Sequence, residues 1–325
     1  MNNVNNQPLV TMITYCYNGA RFVSKYFDAI LAQTYTNIEL IFFNNGSEDK
    51  TGEIAESYRQ RLEEKGVIVN IIHYRENQST CQLKQDAFRM MKGEYFFGCD
   101  SDDFIDPTYV EEMSNYLINN PEKGIVYCQL RVIKESTGEL LGISKMQPRH
   151  EPKQAFMDIL SGYNVNFTAI SYMMSKKHFE KINPNKEIFI SRYGENYQIQ
   201  MPFLYNDLQG YIEKPLGQYT VRDDSYTGTF NVEKKIVAFK GQEESVIATL
   251  KQINPENYDY YLKTYLTRIR RERFMVSLMG EGREKAKECR KELKEIKGFT
   301  FKLSLYWFLH KIRLFKPLYR AFKKD

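Results

Sequence analysis

No apolar run in this 325-residue chain approaches the roughly 20 residues that a membrane-spanning helix needs, which excludes an apolar crossing helix. Cysteine is scarce and badly spaced for a scaffold. Cys16, Cys81, Cys99, Cys128 and Cys289 are odd in number, scattered, and form no CxxC pair. A disulfide framework and a structural zinc site are therefore not expected, and a reducing cytoplasm is the natural compartment. The four histidines, His73, His150, His178 and His310, are too dispersed for a metal cluster or a hydrolase triad. Gly46 and Gly52 do not complete a GxGxxG fingerprint. The first twenty residues carry no charge, and Asn and Gln dominate the first seven. A basic stretch followed by an apolar core is missing there, so no signal peptide is expected.

What is present is the mix of a globular chain. The sequence is 42% apolar and 27% charged, enough for a sizeable core and too apolar for disorder. Net charge is +5, unevenly placed. Residues 301–325 hold Lys302, Lys311, Arg313, Lys316, Arg320, Lys323 and Lys324 against Asp325 alone. That balance of +6 leaves the other 300 residues at −1. A neutral body does not suggest nucleic acid as a partner, and the cationic tail needs its own explanation.

The first third alternates apolar runs with amphipathic ones. Val10–Thr14, Ile38–Phe43, Val67–His73 and Glu94–Cys99 read as strands. Helices are expected at Arg21–Gln33, Asp49–Glu64 and Thr80–Met91, where apolar residues recur at helical spacing. Near-continuous apolar strands separated by helices predict βαβ units and a parallel sheet covered on both faces. Polar loops then lie at the carboxyl ends of the strands, where ligands bind in open α/β sheets. From Pro107 the rhythm becomes mixed, with a helix to Asn119, strands at Gly124–Val132, Phe167–Met174 and Tyr211–Val221, and helices at Lys153–Leu160, after Ser175, and at Glu195–Tyr205. Beyond Asn231 everything reads as helix. The expected division is 1–222 (halves 1–106 and 107–222) followed by a helical region, 223–325.

The sharpest chemical feature is Asp100-Ser101-Asp102-Asp103, immediately after an apolar strand. Three carboxylates in four residues repel one another and call for compensation. At a strand end, acids at i and i+2 suit a hard divalent cation, Mg2+ or Mn2+, that keeps positions open for phosphate oxygens. A solvated acidic turn before Pro107 is the alternative.

Taken with other stretches in order, this tetrapeptide gives residues 8–110 a resemblance to the family-2 glycosyltransferases. The matching stretches are Val10-Thr11-Met12-Ile13 with Tyr17-Asn18-Gly19, Ile30–Tyr35 with Asn37–Leu40, Asn45-Gly46-Ser47-Glu48-Asp49-Lys50-Thr51, Lys92-Gly93-Glu94-Tyr95 and the acidic turn. The resemblance implies the GT-A fold, an α/β architecture with a mostly parallel sheet flanked by helices and here a C-terminal helical extension. It implies an inverting enzyme that moves a sugar from a nucleotide-diphosphate donor, expected to be UDP-linked, to a glycan or lipid-linked acceptor in surface polysaccharide synthesis. By the same resemblance Tyr17 packs on the base, and Asn45 and Asp49 lie near base or ribose. Asp102 is then the chief metal ligand, with Asp100 nearer the ribose and Ser101 between them. Arg75 and Lys84 supply cations for the phosphates, or simply face solvent.

The pattern departs from the family in places. Asn44-Asn45 stands where the family carries Asp-Asp, and an amide donates as well as accepts. Lys84-Gln85 replaces Arg-Asn, losing the guanidinium fork. The stretch Arg192–Gln198 resembles the family's Gly-Glu-Asp segment, but its aspartate position is Asn196. Glu195 is therefore the expected general base, or else an acid favoured by the helix dipole. Val221–Ser225 lacks the histidine that relatives place near the metal, leaving Asp223 or Asp224 as substitutes, or Arg222 as a diphosphate contact. The altered acids also motivate a non-catalytic glycan- or nucleotide-binding subunit. Phe299–Phe322 interleaves aromatics with basic residues and carries the chain's one Trp, Trp307. It fits an interfacial anchor on the inner face of an anionic membrane, or a helix whose apolar stripe packs back on the protein.

Overall fold

The computed structural model describes residues 7–191, 193–222, 231–280 and 283–322, with 320–322 described by backbone only. Asp223 and Asp224, and Arg192 of the Gly-Glu segment, lie outside the described residues.

The chain forms two compact units. The first comprises Met1–Phe156, Asn164–Ile190 and Ile199–Arg222; the second comprises Met157–Tyr163, Ser191–Gln198 and Asp223–Asp325. The sheet belongs to the first unit. Its strands are β1 (Val10–Cys16), β2 (Ile38–Asn45), β3 (Ile68–Tyr74), β4 (Tyr95–Gly98), β5 (Phe104–Ile105), β6 (Ile125–Lys134), β7 (Leu140–Ser144), β8 (Tyr172–Ser175) and β9 (Gln209–Val221). Its order is β3-β2-β1-β4-β8-β6-β9-β5, with β7 paired to β6. The four strands at one side, β3-β2-β1-β4, run parallel, as continuous apolar runs require. All eight side chains of β2 are buried, so this strand sits under cover on both faces.

Beyond β4 the sheet is mixed. β8 runs antiparallel to both β4 and β6, while β6 and β9 pair in parallel and β5 and β7 add antiparallel edges. The parallel βαβ character expected of the first third of the chain is found there, in β3-β2-β1-β4. The helices are α1 (Ala20–Leu31), α2 (Thr51–Glu64), α3 (Thr80–Met90), α4 (Tyr109–Asn119), α5 (Gln154–Ser161), α6 (Lys176–Ile182) and α7 (Glu195–Tyr205), then α8 (Val232–Ile253), α9 (Tyr258–Leu278), α10 (Arg283–Glu295), α11 (Phe301–Lys311) and α12 (Phe315–Phe322). Phe22, Val23, Tyr26, Phe27 and Ile30 of α1 pack on the strands at i, i+1, i+4, i+5 and i+8, one stripe of an amphipathic helix. Serine 79 caps α3 by accepting from the Gln82 N–H at 3.2 Å.

A separate core organises the second unit. Phe274 and Leu278 of α9 meet Ala286, Cys289 and Leu293 of α10, and Leu303, Trp307 and Phe315 from α11 and α12. The basic tail thus has two faces. One is buried in this core, while Phe301, Leu305, Phe308, Ile312 and Leu314 are exposed.

Candidate active site

Three loops meet at the carboxyl ends of the parallel strands, in the first unit. The loop after β1 carries Tyr17, Asn18 and Gly19, the turn after β2 carries Gly46 to Asp49, and the acidic turn follows β4. Backbone bonds set the last of these. The Cys99 N–H donates to the Ile13 carbonyl at 2.9 Å, extending the β1–β4 pairing, and the Asp103 N–H closes a turn on the Asp100 carbonyl at 3.0 Å.

That turn sorts the acids. Asp103 points inward, 2% exposed, and its Oδ1 accepts from the Thr220 N–H of β9 at 3.2 Å. Burial first, then the charges of Asp100 and Asp102, push its carboxyl well above the usual range, with the Thr220 amide and Arg222 opposing. Asp100 is exposed and Asp102 half-buried, so of the three acids Asp103 alone is withdrawn from solvent. Asp102 Oδ2 lies 3.0 Å from Arg222 Nη1, and the Arg222 guanidinium lies 5.1 Å from the Phe22 ring centroid. Tyr219, half-exposed, adjoins the same charges: burial and then Asp103, Asp102 and Asp100 raise its hydroxyl pKa. Among the described residues no three His, Cys, Asp or Glu side chains form a closed metal cluster. Two hard carboxylates on one turn nevertheless fit a magnesium or manganese ion that takes its remaining oxygens from water and phosphate.

The loops after β1 and β2 are braced by their own polar residues. The Asn18 N–H donates to Ser47 Oγ at 3.0 Å, and Asn18 Oδ1 accepts from the Glu48 N–H at 2.9 Å. Asp49 Oδ2 accepts from the Ala20 N–H at 3.0 Å, and its Oδ1 accepts from the Thr51 N–H at 2.9 Å and from Thr51 Oγ1. Burial pushes the Asp49 carboxyl up, but the Thr51 hydroxyl and the Ala20 and Thr51 amides outweigh it and hold the carboxyl below its ordinary value. Asn45 is buried and bonds the backbone of Gln78 twice, accepting from its N–H at 2.8 Å and donating to its carbonyl at 3.0 Å. Gly46, at φ +74°, lets this turn approach the Glu76 carbonyl carbon, which a Cβ would meet at 2.6 Å.

The other expected contacts differ in exposure. Tyr17 is 52% exposed, in the loop after β1. Ser101 is buried under the turn, near Cys16 and Gly19. Cys16 is no nucleophile: burial pushes its thiol up to about 11, with the Ser101 hydroxyl partly opposing. Arg75 is exposed on the loop after β3, and Lys84 lies half-buried on α3. Asn18 and Thr51 lie within the matching stretches without a role assigned to either, and Tyr219 carries no motif signal.

Glu195 opens α7 and belongs to the second unit. Its approach is fixed by Gly194 at φ +86°, where a Cβ would meet Ser245 Cβ at 3.0 Å and Gln242 Cα at 3.1 Å of α8. Ser245 Oγ donates to the Tyr193 carbonyl at 2.7 Å. One turn further, the Tyr197 hydroxyl accepts from Arg268 Nη2 at 2.8 Å. Glu195 is thus carried on a rigid helix start.

The family model described as glycosyl transferase family 2 matches residues 11–182, more than half of the chain. The chain belongs to glycosyl transferase family 2. An uncharacterised glycosyltransferase of Rickettsia typhi is 29% identical over 223 residues, 68% of this chain and 67% of that protein. A second, from Rickettsia prowazekii, is 36% identical over 134 residues, 41% of this chain and 40% of its own length. The glycosyltransferase GlyA of Streptococcus pneumoniae is 25% identical over 221 residues, 66% of this chain but 31% of its own length. The chain therefore spans less than half the length of some relatives it matches. Among solved structures, residues 1–349 of S. aureus TarS, in complex with UDP-GlcNAc, superpose at a TM-score of 0.67 with 12% identity, covering 95% of this chain and 88% of that one. The mannosyltransferase PcManGT from Pyrobaculum calidifontis, in complex with GDP-Man and Mn2+, gives 0.54 at 14% identity, covering 98% and 84%. These likenesses establish the GT-A glycosyltransferase fold for this family member.

Proposed function

We propose that this family-2 glycosyltransferase moves a hexosyl group, with inversion, from a nucleotide-diphosphate sugar to a hydroxyl of a glycan or lipid-linked acceptor. The donor is UDP-linked in this reading, and the setting is surface polysaccharide synthesis. The observation that carries it is the acidic turn after β4, with Asp103 tied to β9, Asp100 exposed and Asp102 half-buried beside Arg222. The named complexes of TarS with UDP-GlcNAc and of PcManGT with GDP-Man and Mn2+ support a nucleotide-sugar donor.

The roles follow from each group's chemistry. Tyr17 stacks on the base, while Asn45 and Asp49 hold the loops that shape the nucleoside site. Asp102 and Asp100 hold Mn2+ or Mg2+, which when bound neutralises the diphosphate leaving group. Arg222, beside Asp102, together with Arg75 and Lys84, adds positive charge for phosphate oxygens. The acceptor oxygen attacks the anomeric carbon as the bond to the diphosphate breaks, and Glu195 takes the hydroxyl proton. A sugar nucleotide already carries a good leaving group, so positioning and electrostatics suffice without a protein nucleophile.

Release of nucleoside diphosphate from a panel of donors, with and without Mn2+, tests this. Asp102→Ala should remove most metal-dependent release, and Glu195→Gln should lower turnover while leaving donor affinity in place. Full activity of Asp102→Ala would overturn the reading. Donor binding without turnover on any acceptor would instead mark a non-catalytic binding subunit.

Location belongs to the same proposal. The exposed apolar side of α11 and α12, interleaved with Lys302, Lys311, Arg313 and Lys316, supports peripheral contact with the inner face of an anionic membrane. No helix among the described residues is long and apolar enough to cross a membrane.

A further inference from the structure

The second unit contains a cavity that the transfer chemistry leaves unused. It measures about 330 Å³ and is lined by Gly280, Arg283, His310, Arg313, Phe315 and Lys316. Gly280 ends the α9 segment, Arg283 opens α10, His310 lies in the last turn of α11, and Phe315 and Lys316 open α12. Three permanent cations therefore converge, and among the described residues no carboxylate lines the space. Like charges gathered at one cavity repel, which favours an anionic occupant. Arg283 is oriented by its Nη2, which donates to the Lys311 carbonyl at 2.8 Å and uses one of five guanidinium N–H donors.

Buried beside these cations is His310, only 8% exposed. Its Nδ1 lies 3.1 Å from the Leu278 carbonyl. A carbonyl can only accept, so Nδ1 carries the proton and Nε2 faces its surroundings as an acceptor. That Nε2 has no hydrogen-bond partner among the described residues. Burial first, and the Arg283 and Lys316 charges as well, hold the imidazole below its ordinary pKa, against the pull of the Leu278 carbonyl. Both cations are thus close enough to be felt at the ring.

We propose that this cavity binds a phosphate group, with Arg283, Arg313 and Lys316 as its donors, and that the phosphate is that of an anionic phospholipid headgroup. Guanidinium forks match paired oxygens, which favours an oxyanion over a halide, and a phosphate offers three converging cations more oxygens than a lone carboxylate does. The volume is roughly ten times the ~30 Å³ share of one liquid water, room for a phosphate with its substituent. Ile312, Leu314 and Leu318 stand exposed next to the basic residues, where acyl chains would lie. The proposal deepens the membrane reading above and rests on it only for the source of the phosphate.

The chain's one Trp, Trp307, stacks on His310 with ring centroids 5.9 Å apart, so its fluorescence reports the cavity. Inorganic phosphate, titrated into the full chain at constant ionic strength with chloride as control, should give a saturable change. Arg313→Gln with Lys316→Gln should shift its midpoint at least ~10-fold, since two charge-assisted bonds are lost. In the unaltered chain, saturating phosphate should raise the His310 pKa read by NMR, and in the double variant it should not. Cosedimentation with phosphatidylcholine vesicles containing phosphatidylglycerol, against phosphatidylcholine alone, separates the sources. Loss of the phosphatidylglycerol preference in the double variant, and its competition by free phosphate, assigns the lipid headgroup. Unchanged vesicle binding with lost phosphate binding keeps the site and makes its ligand a soluble phosphate. No saturable response, or the same response in both proteins, overturns the proposal. Nucleoside diphosphate release is measured in parallel, and its failure alone concerns the transfer reaction and not this cavity.

Discussion

Asp49 has both carboxylate oxygens engaged by backbone and Thr51, so its first job is to hold the loop after β1 against the start of α2. Its depressed carboxyl pKa makes that job depend on pH. A carboxylate whose folded pKa lies below the unfolded value of ~3.9 contributes stability that is complete above that value and lost as pH falls through the folded pKa. Asp49→Asn should therefore melt earlier than the unaltered chain at pH 7. The difference should shrink on acidification below ~3.9, as seen in thermal melts across pH. A constant difference at all pH values would mean that the charge is irrelevant to bracing. Gly19 gives a second residue-scale test. A Cβ there would meet Cys16 Sγ at 2.4 Å and Ser101 Oγ at 3.3 Å, directly under the acidic turn. Gly19→Ala should cost about 1–3 kcal/mol in urea unfolding by overpacking. Adding Cys16→Ala removes the sulfur it strikes and should restore part of the loss, a coupling that independent sites would not show.

Among elements, the second unit is tied together by charge as well as apolar packing. Glu243 of α8 accepts from Arg270 Nη2 at 2.6 Å and from Arg273 Nη1 at 2.9 Å, both on α9, and Arg273 also bonds Glu292 of α10. Arg273 is 2% exposed, so removing Glu243 leaves a buried guanidinium with Glu292 as its one remaining carboxylate among the described residues. Glu243→Ala should cost about 3–5 kcal/mol in the unfolding of this unit, read by thermal denaturation. Replacing Glu243 and Arg273 together by apolar residues should cost less than the single change. None of this network was legible in the sequence, because its charges sit on three helices whose facing sides depend on packing. The elements themselves were legible where burial is two-sided or periodic: β1 to β4 and the helices between them fall within a few residues of the apolar runs that announce them. β5 has two residues and gives no pattern, and β7 exposes Leu140, Leu141 and Ile143, so no alternation of apolar and polar marks it. The expected strand Phe167–Met174 begins instead as a short 3-10 turn at Ala169–Ser171 before β8. Strand direction in the second half of the sheet was equally hidden, since a buried strand has the same composition in either sense. In the site, the acidic tetrapeptide was readable as a motif. Its division into one anchored acid and two more exposed ones depends on Thr220, more than a hundred residues away in sequence.

At the scale of the molecule, charge and apolar surface coincide at one end of the chain. The tail holds +6 and the body is left at −1, so net electrostatic attraction to an anionic surface falls on the tail. Deleting residues 299–325 would not test this cleanly. Leu303, Trp307 and Phe315 belong to the core of the second unit, and their loss would damage the fold together with the surface. Phe301 and Phe308 are the better handles, since they are exposed, at 88% and 56%, on the outer side of α11. Phe301→Ser with Phe308→Ser should leave the melting temperature within about a degree, because exposed positions carry little folding energy. Binding to phosphatidylglycerol-containing vesicles should fall at least ~10-fold, since an inserted aromatic gains roughly 1.5–3 kcal/mol on leaving water. Salt discriminates further. Electrostatic attraction from the lysines and arginines weakens as the Debye length falls from ~10 Å at 0.1 M to ~3 Å at 1 M, whereas apolar insertion does not. Binding that survives high salt in the unaltered chain and disappears in the double serine variant would show both terms acting together. Equal binding of the two proteins at every salt concentration would mean that the outer face of α11 does not touch the bilayer.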